Sequence, residues 1–296
     1  MTSTLPPRHL LLALAVVAVW GSNFVVIKSA LAQFPPLLLA ALRFSFATLP
    51  AACFLPRPRV AWSNVAAYGL LIGVGQFGLL YVAMDGRISP GLASLVIQVQ
   101  VFLTVGLAMP FARERVRPYQ GVALLLAGAG IGVIAAHTDG STTIAGLVLV
   151  LAAALGWAGG NIVGKRAGAV NAVAYVVWSS AFAVLPLLAL SFAFEGWSAI
   201  RSGLEHADAG AWSAVLWQAW GNSLFGYAVW GWLLARHPAA TVTPMAMLVP
   251  VFGMGASAWW LSEPLPPWKI AAAALVLSGL GLNLAWPRWI GRYGAR

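Results

Sequence analysis

The chain of 296 residues is 61% hydrophobic and only 8% charged, against roughly 25% charged residues in a soluble domain. That excludes a protein with a mostly polar surface, and almost nothing remains for a separate soluble domain. The net charge of +10 would suggest nucleic acid in a soluble protein, but here the basic residues sit between apolar segments and read as topology signals, with no nucleic-acid partner expected. Cys53 is the sole cysteine, so an intrachain disulfide and a multi-cysteine metal site are excluded.

The first apolar run follows Arg8 and continues through Val25 to Ala32 without a convincing small-residue cleavage site. It therefore reads as a membrane span and not as a removable signal peptide. Runs bounded by Pro, Gly and charge then place spans at 10–32, 37–55, 64–84, 90–111, 118–136, 142–163, 172–194, 212–234, 239–261 and 267–287. A crossing needs about 20 residues, so ten spans use roughly 200 positions and leave short connections. The expected fold class is an all-α integral membrane protein of ten transmembrane helices.

Orientation follows from the basic residues. With the N-terminus in the cytoplasm, twelve of the seventeen fall on the cytoplasmic side, among them Arg57, Arg59, Arg113, Arg115, Arg117, Lys165, Arg166 and Arg236. Only Arg87, Arg201 and Lys269 fall opposite, while Lys28 and Arg43 lie within spans. The positive-inside rule thus predicts both termini in the cytoplasm.

An internal repeat is also visible. Glu114, Pro118, Tyr119, Gly130 and Gly132 return as Glu263, Pro267, Trp268, Gly279 and Gly281 at a constant offset of 149. Near the start of each half, Trp20, Asn23 and Lys28 are echoed by Trp157, Asn161 and Lys165, with Trp and Lys displaced by 137 and Asn by one more. The halves divide at residues 1–139 and 140–296. Five spans per half is an odd number, so the second copy must enter from the other side of the bilayer. Inverted repeats place a substrate site at mid-depth around a central cavity and supply two alternative openings.

The segment Ser262-Glu263-Pro264-Leu265-Pro266-Pro267, the Ala-rich stretch to Gly281 and Pro250-Val251-Phe252 resemble the EamA repeat of the drug/metabolite transporter superfamily, with a looser copy at Arg113-Glu114-Arg115. Within that superfamily the chain is similar to the YddG-type aromatic amino-acid exporters of bacterial inner membranes. The resemblance implies a cavity lined by spans 1 to 4 and 6 to 9, with spans 5 and 10 peripheral.

Polar side chains at mid-span are costly in hydrocarbon and are the first functional candidates. Trp20 and Asn23 lie near the middle of span 1, Gln76 of span 3, Gln98 and Gln100 of span 4, Trp157 and Asn161 of span 6, and Asn222 of span 8. Each amide taken singly could only bridge two helices, worth about 1 kcal/mol or less; taken together they suggest a cavity lining. Gln98 and Gln100 stand about 200° apart on a helix and cannot both face it; Gln98, which stacks over Ser94, is the choice. Trp20 and Trp157, with Tyr81 and Tyr227, offer flat apolar walls and indole faces for an ammonium group, or alternatively plain helix packing.

Arg43 is deep, and no span contains an acid at mid-depth to pair with it, so its guanidinium is suited to gripping a carboxylate through two parallel hydrogen bonds. Lys28 lies nearer the outer end and can snorkel to water. All four histidines (His9, His137, His206, His237) fall near span ends. A membrane proton relay, a metal site and a cofactor are therefore not expected, and no constellation for enzyme chemistry is present. The reading is an inner-membrane exporter of amino acids, aromatic or bulky and neutral, working by alternating access. The family resemblance supplies the solute class and the direction. Alternatives are a transporter of another small solute such as a lipophilic cation, an integral membrane enzyme, or a non-transporting receptor.

Overall fold

The structure, a computed structural model, describes residues 5–112, 118–138, 141–168 and 170–293. It is 85% helix with no strands among those residues. The first-half signature at Arg113-Glu114-Arg115 lies outside them. Among the described residues, seven helices are long and apolar enough to cross a membrane: α1 (Pro7–Ala30), α2 (Pro36–Phe54), α3 (Trp62–Met84), α4 (Pro90–Ala108), α5 (Pro118–Ala136), α6 (Ile144–Arg166) and α7 (Ala172–Phe194). A short helix, Gly196–His206, follows, and then the helical stretches α8 (209–236), α9 (239–260) and α10 (Pro267–Tyr293).

Local chemistry sets where the helices begin. Proline stands in the first turn of α1, α2 and α4, where its missing N–H has no intrahelical partner to lose. Side-chain oxygens cap α6, α7 and α8: Thr143 Oγ1 accepts from the Gly146 N–H at 3.0 Å, Asn171 Oδ1 from Ala174 at 3.0 Å and Asp208 Oδ1 from Ala211 at 2.8 Å. The Ala211 N–H, joined by the Gln33 amide, holds the Asp208 carboxyl below its ordinary value. Glu195 accepts from the Leu37 and Leu38 N–H groups, setting a negative charge at the positive end of α2.

Burial matches a hydrocarbon solvent. Phe54, Leu125, Leu185, Phe194 and Trp259 stand 75% to 84% exposed, a pattern that water would penalise and lipid does not. In α5 only 22% of the spanning window is buried, against 39% to 50% in the other six such helices, so α5 sits at the periphery. It packs chiefly on α10. Small residues let helices meet closely: a Cβ added to Gly156 of α6 would lie 2.7 Å from the Gly75 backbone of α3.

Two regularities concern the halves. The pairings α2 with α7, α5 with α10 and α4 with α9 are joined by α1 with α9 and α6 with α4, by α3 with α6 and α8 with α1, and by α3 with α7 and α8 with α2. This set is unchanged when helices 1–5 exchange places with helices 6–10. Departures from ideal winding recur the same way. Helices α3 and α8 widen into π-helix at Leu70–Gly78 and Trp217–Phe225, whereas α4 and α9 tighten into 3-10 winding at Ile97–Val99 and Thr243–Leu248. Such segments loosen the main-chain ladder and gather at functional sites in other proteins.

Candidate functional site

Helix α2 presents Arg43 to the interior, where the side chain is 1% exposed. Its Nη1 donates to Tyr81 Oη at 2.9 Å and its Nη2 to Ser223 Oγ at 3.1 Å. The Tyr81 hydroxyl in turn donates to Gln218 Oε1, and Ser223 Oγ donates to the Gln218 carbonyl at 3.0 Å. Residues from α2, α3 and α8 are thereby tied into one ring. The guanidinium carbon lies 3.7 Å from the Phe77 ring centre and 5.4 Å from that of Phe44, an arrangement in which ring quadrupoles stabilise a cation held out of water.

No acidic side chain among the described residues pairs with this cation, and its Nε has no hydrogen-bond partner. A buried, unneutralised charge is expensive, so the site is incomplete as a purely structural element. Beside it is a small cavity of about 10 Å³ lined by Arg43, Phe44, Phe77, Ser179, Ser223 and Tyr227, among others, room for about one water molecule.

The other expected residues divide into groups. Trp20 Nε1 donates to the Asn222 carbonyl at 3.1 Å, and the Trp20 ring stands 5.8 Å from that of Tyr227. Trp20, Asn222 and Tyr227 therefore adjoin the Arg43 cavity. Gly226 makes this possible, because a Cβ there would run into the indole. Asn161 behaves differently: its Nδ2 donates to Gln100 Oε1 at 2.9 Å and to Thr104 Oγ1 at 3.1 Å. That is an amide bridge between α6 and α4, and it engages Gln100, not the chosen Gln98. Gln98 is buried at 5% exposure, without a bond to the Arg43 ring. Trp157 is half-buried against the main core. Asn23 and Gln76 are buried, with Asn23 Oδ1 and Gln76 Oε1 unpartnered. Lys28 donates to the Met84 carbonyl at 3.4 Å.

Gln218, Ser223, Phe44 and Phe77 are not among the candidates that sequence reasoning selects. Gln218 falls near the end of its expected span, where an amide can face headgroups and attracts no attention. Tyr81, expected as a flat wall, instead uses its hydroxyl as the link between Arg43 and Gln218.

A second polar centre lies at one end of the bundle. Glu263, in the connection between α9 and α10, accepts from Lys269 Nζ at 2.8 Å, Ser89 Oγ at 2.5 Å, the Gly91 N–H at 3.0 Å and Ser257 Oγ. Burial pushes its carboxyl up, but these donors outweigh burial and hold it below the usual value. Lys269, which the topology argument counts on the side opposite the cytoplasm, is buried at 3% exposure.

Among known proteins, the EamA-like transporter family matches residues 8–136 and again 144–285. The chain is 39% identical over 279 residues to a "Probable amino-acid metabolite efflux pump" of Salmonella typhimurium, covering 92% of this chain and 93% of that protein. It is 36% identical over 284 residues to the protein of the same name in Escherichia coli, covering 94% and 95%. A "Probable terminal-alkyne amino-acid exporter" of Streptantibioticus cattleyicolor is 27% identical, covering 90% of each chain. A solved crystal structure aligns with a TM-score of 0.65 at 20% identity, covering 93% of this chain and 95% of that one, a likeness of fold.

Proposed function

The chain belongs to the EamA-like transporter family, and from that premise we propose that it is an inner-membrane exporter of amino acids, with a preference for aromatic or bulky neutral ones. The observation that carries the reading is Arg43, a cation 1% exposed beside a cavity, with no acidic partner among the described residues. In this arrangement the cavity admits about one water molecule, so a substrate would enter only when alternating access widens it; its carboxylate would then supply the missing charge, and the side of the guanidinium bearing Nε offers it parallel donors. The aromatic surround of Phe44, Phe77, Tyr227 and Trp20 suits an apolar side chain. A lipophilic cation is disfavoured because Arg43 would repel it, and the family and its relatives point to a transporter in place of an enzyme.

The mechanism we infer is alternating access between two inverted five-helix repeats, residues 1–139 and 140–296. Three observations support it: the family matches the two halves in succession, the helix pairings named above map onto one another on exchanging the halves although α1 with α4 has no counterpart among the described residues, and irregular windings recur in corresponding helices. The distribution of basic residues supports a cytoplasmic location for both termini. The name of a relative, an "Uncharacterized inner membrane transporter" of Escherichia coli, agrees with the location.

The test is counterflow of labelled amino acids into proteoliposomes holding the purified chain, with amino acid amides as the control lacking a carboxylate. Wild type should favour the acid strongly. Arg43→Ala should lose that preference, since a desolvated charge-assisted hydrogen bond is worth about 1.5–3 kcal/mol, or roughly ten- to a hundredfold in affinity. A variant that transports poorly yet discriminates acid from amide as wild type does would make Arg43 structural and place the carboxylate elsewhere.

A further inference from the structure

Buried side-chain atoms without partners are rare enough that each calls for a physical account. They include Arg43 Nε, Gln218 Nε2 and Gln76 Oε1 on helices that line the Arg43 cavity, and Asn23 Oδ1 on α1, which packs against α8 of that group. The first two can only donate and the last two can only accept. An α-amino acid has the complementary pair of groups, a carboxylate that only accepts and an ammonium that only donates.

Neither acceptor belongs to the cavity wall itself, but each neighbours a residue at or beside that wall. Gln76 sits in the widened stretch of α3, four residues after Ile72, which lines the cavity, and next to Phe77, which stacks on the Arg43 guanidinium. With more than four residues per turn in π winding, Ile72 and Gln76 share a face. Asn23 follows Trp20 by three residues and so neighbours it on the surface of α1. The Trp20 ring lies 5.8 Å from Tyr227, another residue of the cavity wall. Both amides are at least 95% buried, at 3% and 5% exposure.

We propose that Gln76 and Asn23 form a neutral ammonium subsite, in which their unpaired amide oxygens receive the α-ammonium of an amino acid whose carboxylate is held by Arg43. The proposal rests on the amino-acid reading above and adds the half of the substrate which that reading leaves unassigned. It also explains how an ammonium is bound in a cavity that already contains an uncompensated cation and no acid. Amide dipoles and the Trp20 face attract the ammonium without neutralising Arg43, so the protein's positive charge stays available to the carboxylate.

The test uses the full chain in proteoliposomes, with labelled L-phenylalanine in counterflow and three unlabelled competitors: phenylalanine, phenylalaninamide, which lacks the carboxylate, and 3-phenylpropionate, which lacks the ammonium. Wild type should prefer phenylalanine to both analogues by roughly tenfold or more, the scale of one hydrogen bond to a charged group. Gln76→Leu and Asn23→Leu should bring phenylalanine and 3-phenylpropionate to within a few-fold of each other while keeping the preference for acid over amide. Gln76→Glu keeps the side chain's length and an acceptor oxygen, so it should keep or raise the preference for the amine. It also decides the matter if the leucine variants fail to fold. The subsite is overturned if both leucine variants discriminate against 3-phenylpropionate as wild type does, if Gln76→Glu weakens that discrimination, or if wild type ignores the amine while still selecting acid over amide. A wild type indifferent to the carboxylate overturns the amino-acid reading, and the subsite with it.

Discussion

Removing Lys269 tests whether the bundle is held at one end by a buried ion pair. Lys269 and Glu263 have side-chain exposures of 4% and 8%, and their charged atoms are 2.8 Å apart. In Lys269→Met the Glu263 carboxylate keeps Ser89, Ser257 and the Gly91 N–H but loses its counter-charge. Taking one partner from a buried pair costs about 3–5 kcal/mol. At roughly 2–4 °C per kcal/mol for a large domain, the midpoint should fall on the order of 10 °C. Loss of the monodisperse peak after heating the detergent-solubilised protein measures it. Replacing both charges, as Glu263→Gln with Lys269→Met, should restore most of the loss, because no isolated charge remains. The pair also predicts a pH dependence. The folded carboxyl is held below 4.5, so its contribution is full above that value and disappears as pH falls through the folded value. The gap between wild type and Glu263→Gln should therefore close on the acid side of about pH 4.5. If Lys269→Met melts with wild type, or the double variant is no better than the single ones, the clasp is not a stabilising ion pair.

Two further outcomes concern topology and coupling. Reporters fused after Arg59, Arg117, Arg166 and Arg236 should all read cytoplasmic and one after Gly140 periplasmic; a periplasmic signal at Arg166 would break the inverted-repeat reading. Because the candidate site has no titratable acid, downhill amino-acid flux into proteoliposomes should proceed without an imposed pH or sodium gradient. A strict requirement for either would point to an ion held by backbone carbonyls of the irregular helices or by a group at the cavity edge.

The spans were legible because hydropathy reports a solvent and not a contact. Twenty apolar residues between Pro, Gly and charge have one economical arrangement in a bilayer, and the seven described helices long and apolar enough to cross fall within a few residues of the first seven expected spans. Arg43 was legible for the same reason, since a guanidinium in the middle of an apolar run is costly wherever it points. The pairing of Lys269 was not legible, because a count of basic residues assigns a side and not a partner; the carboxylate that draws it inward comes from the preceding loop, only six residues away.

The faces of α3, α4 and α8 were not legible, and the physical reason is their winding. A helical wheel assumes a constant 3.6 residues per turn. One wide turn advances the register by about a residue, or roughly 100°, and a tight 3-10 turn shifts it the other way. Gln98 lies within 3-10 winding and Gln100 just beyond it, so an argument from ideal angles cannot say which of them meets Asn161; the structure gives that bond to Gln100. Gln218 and Ser223 both belong to the π stretch of α8 and are five residues apart, a separation that ideal winding turns through about 140° but wide winding brings nearly into line. The Ser223 hydroxyl consequently reaches the Gln218 carbonyl, and the two residues close on Arg43 from one helix face. Irregular winding is thus what assembles the ring around the buried cation, and a sequence pattern tuned to regular helices loses the register where the candidate site is built.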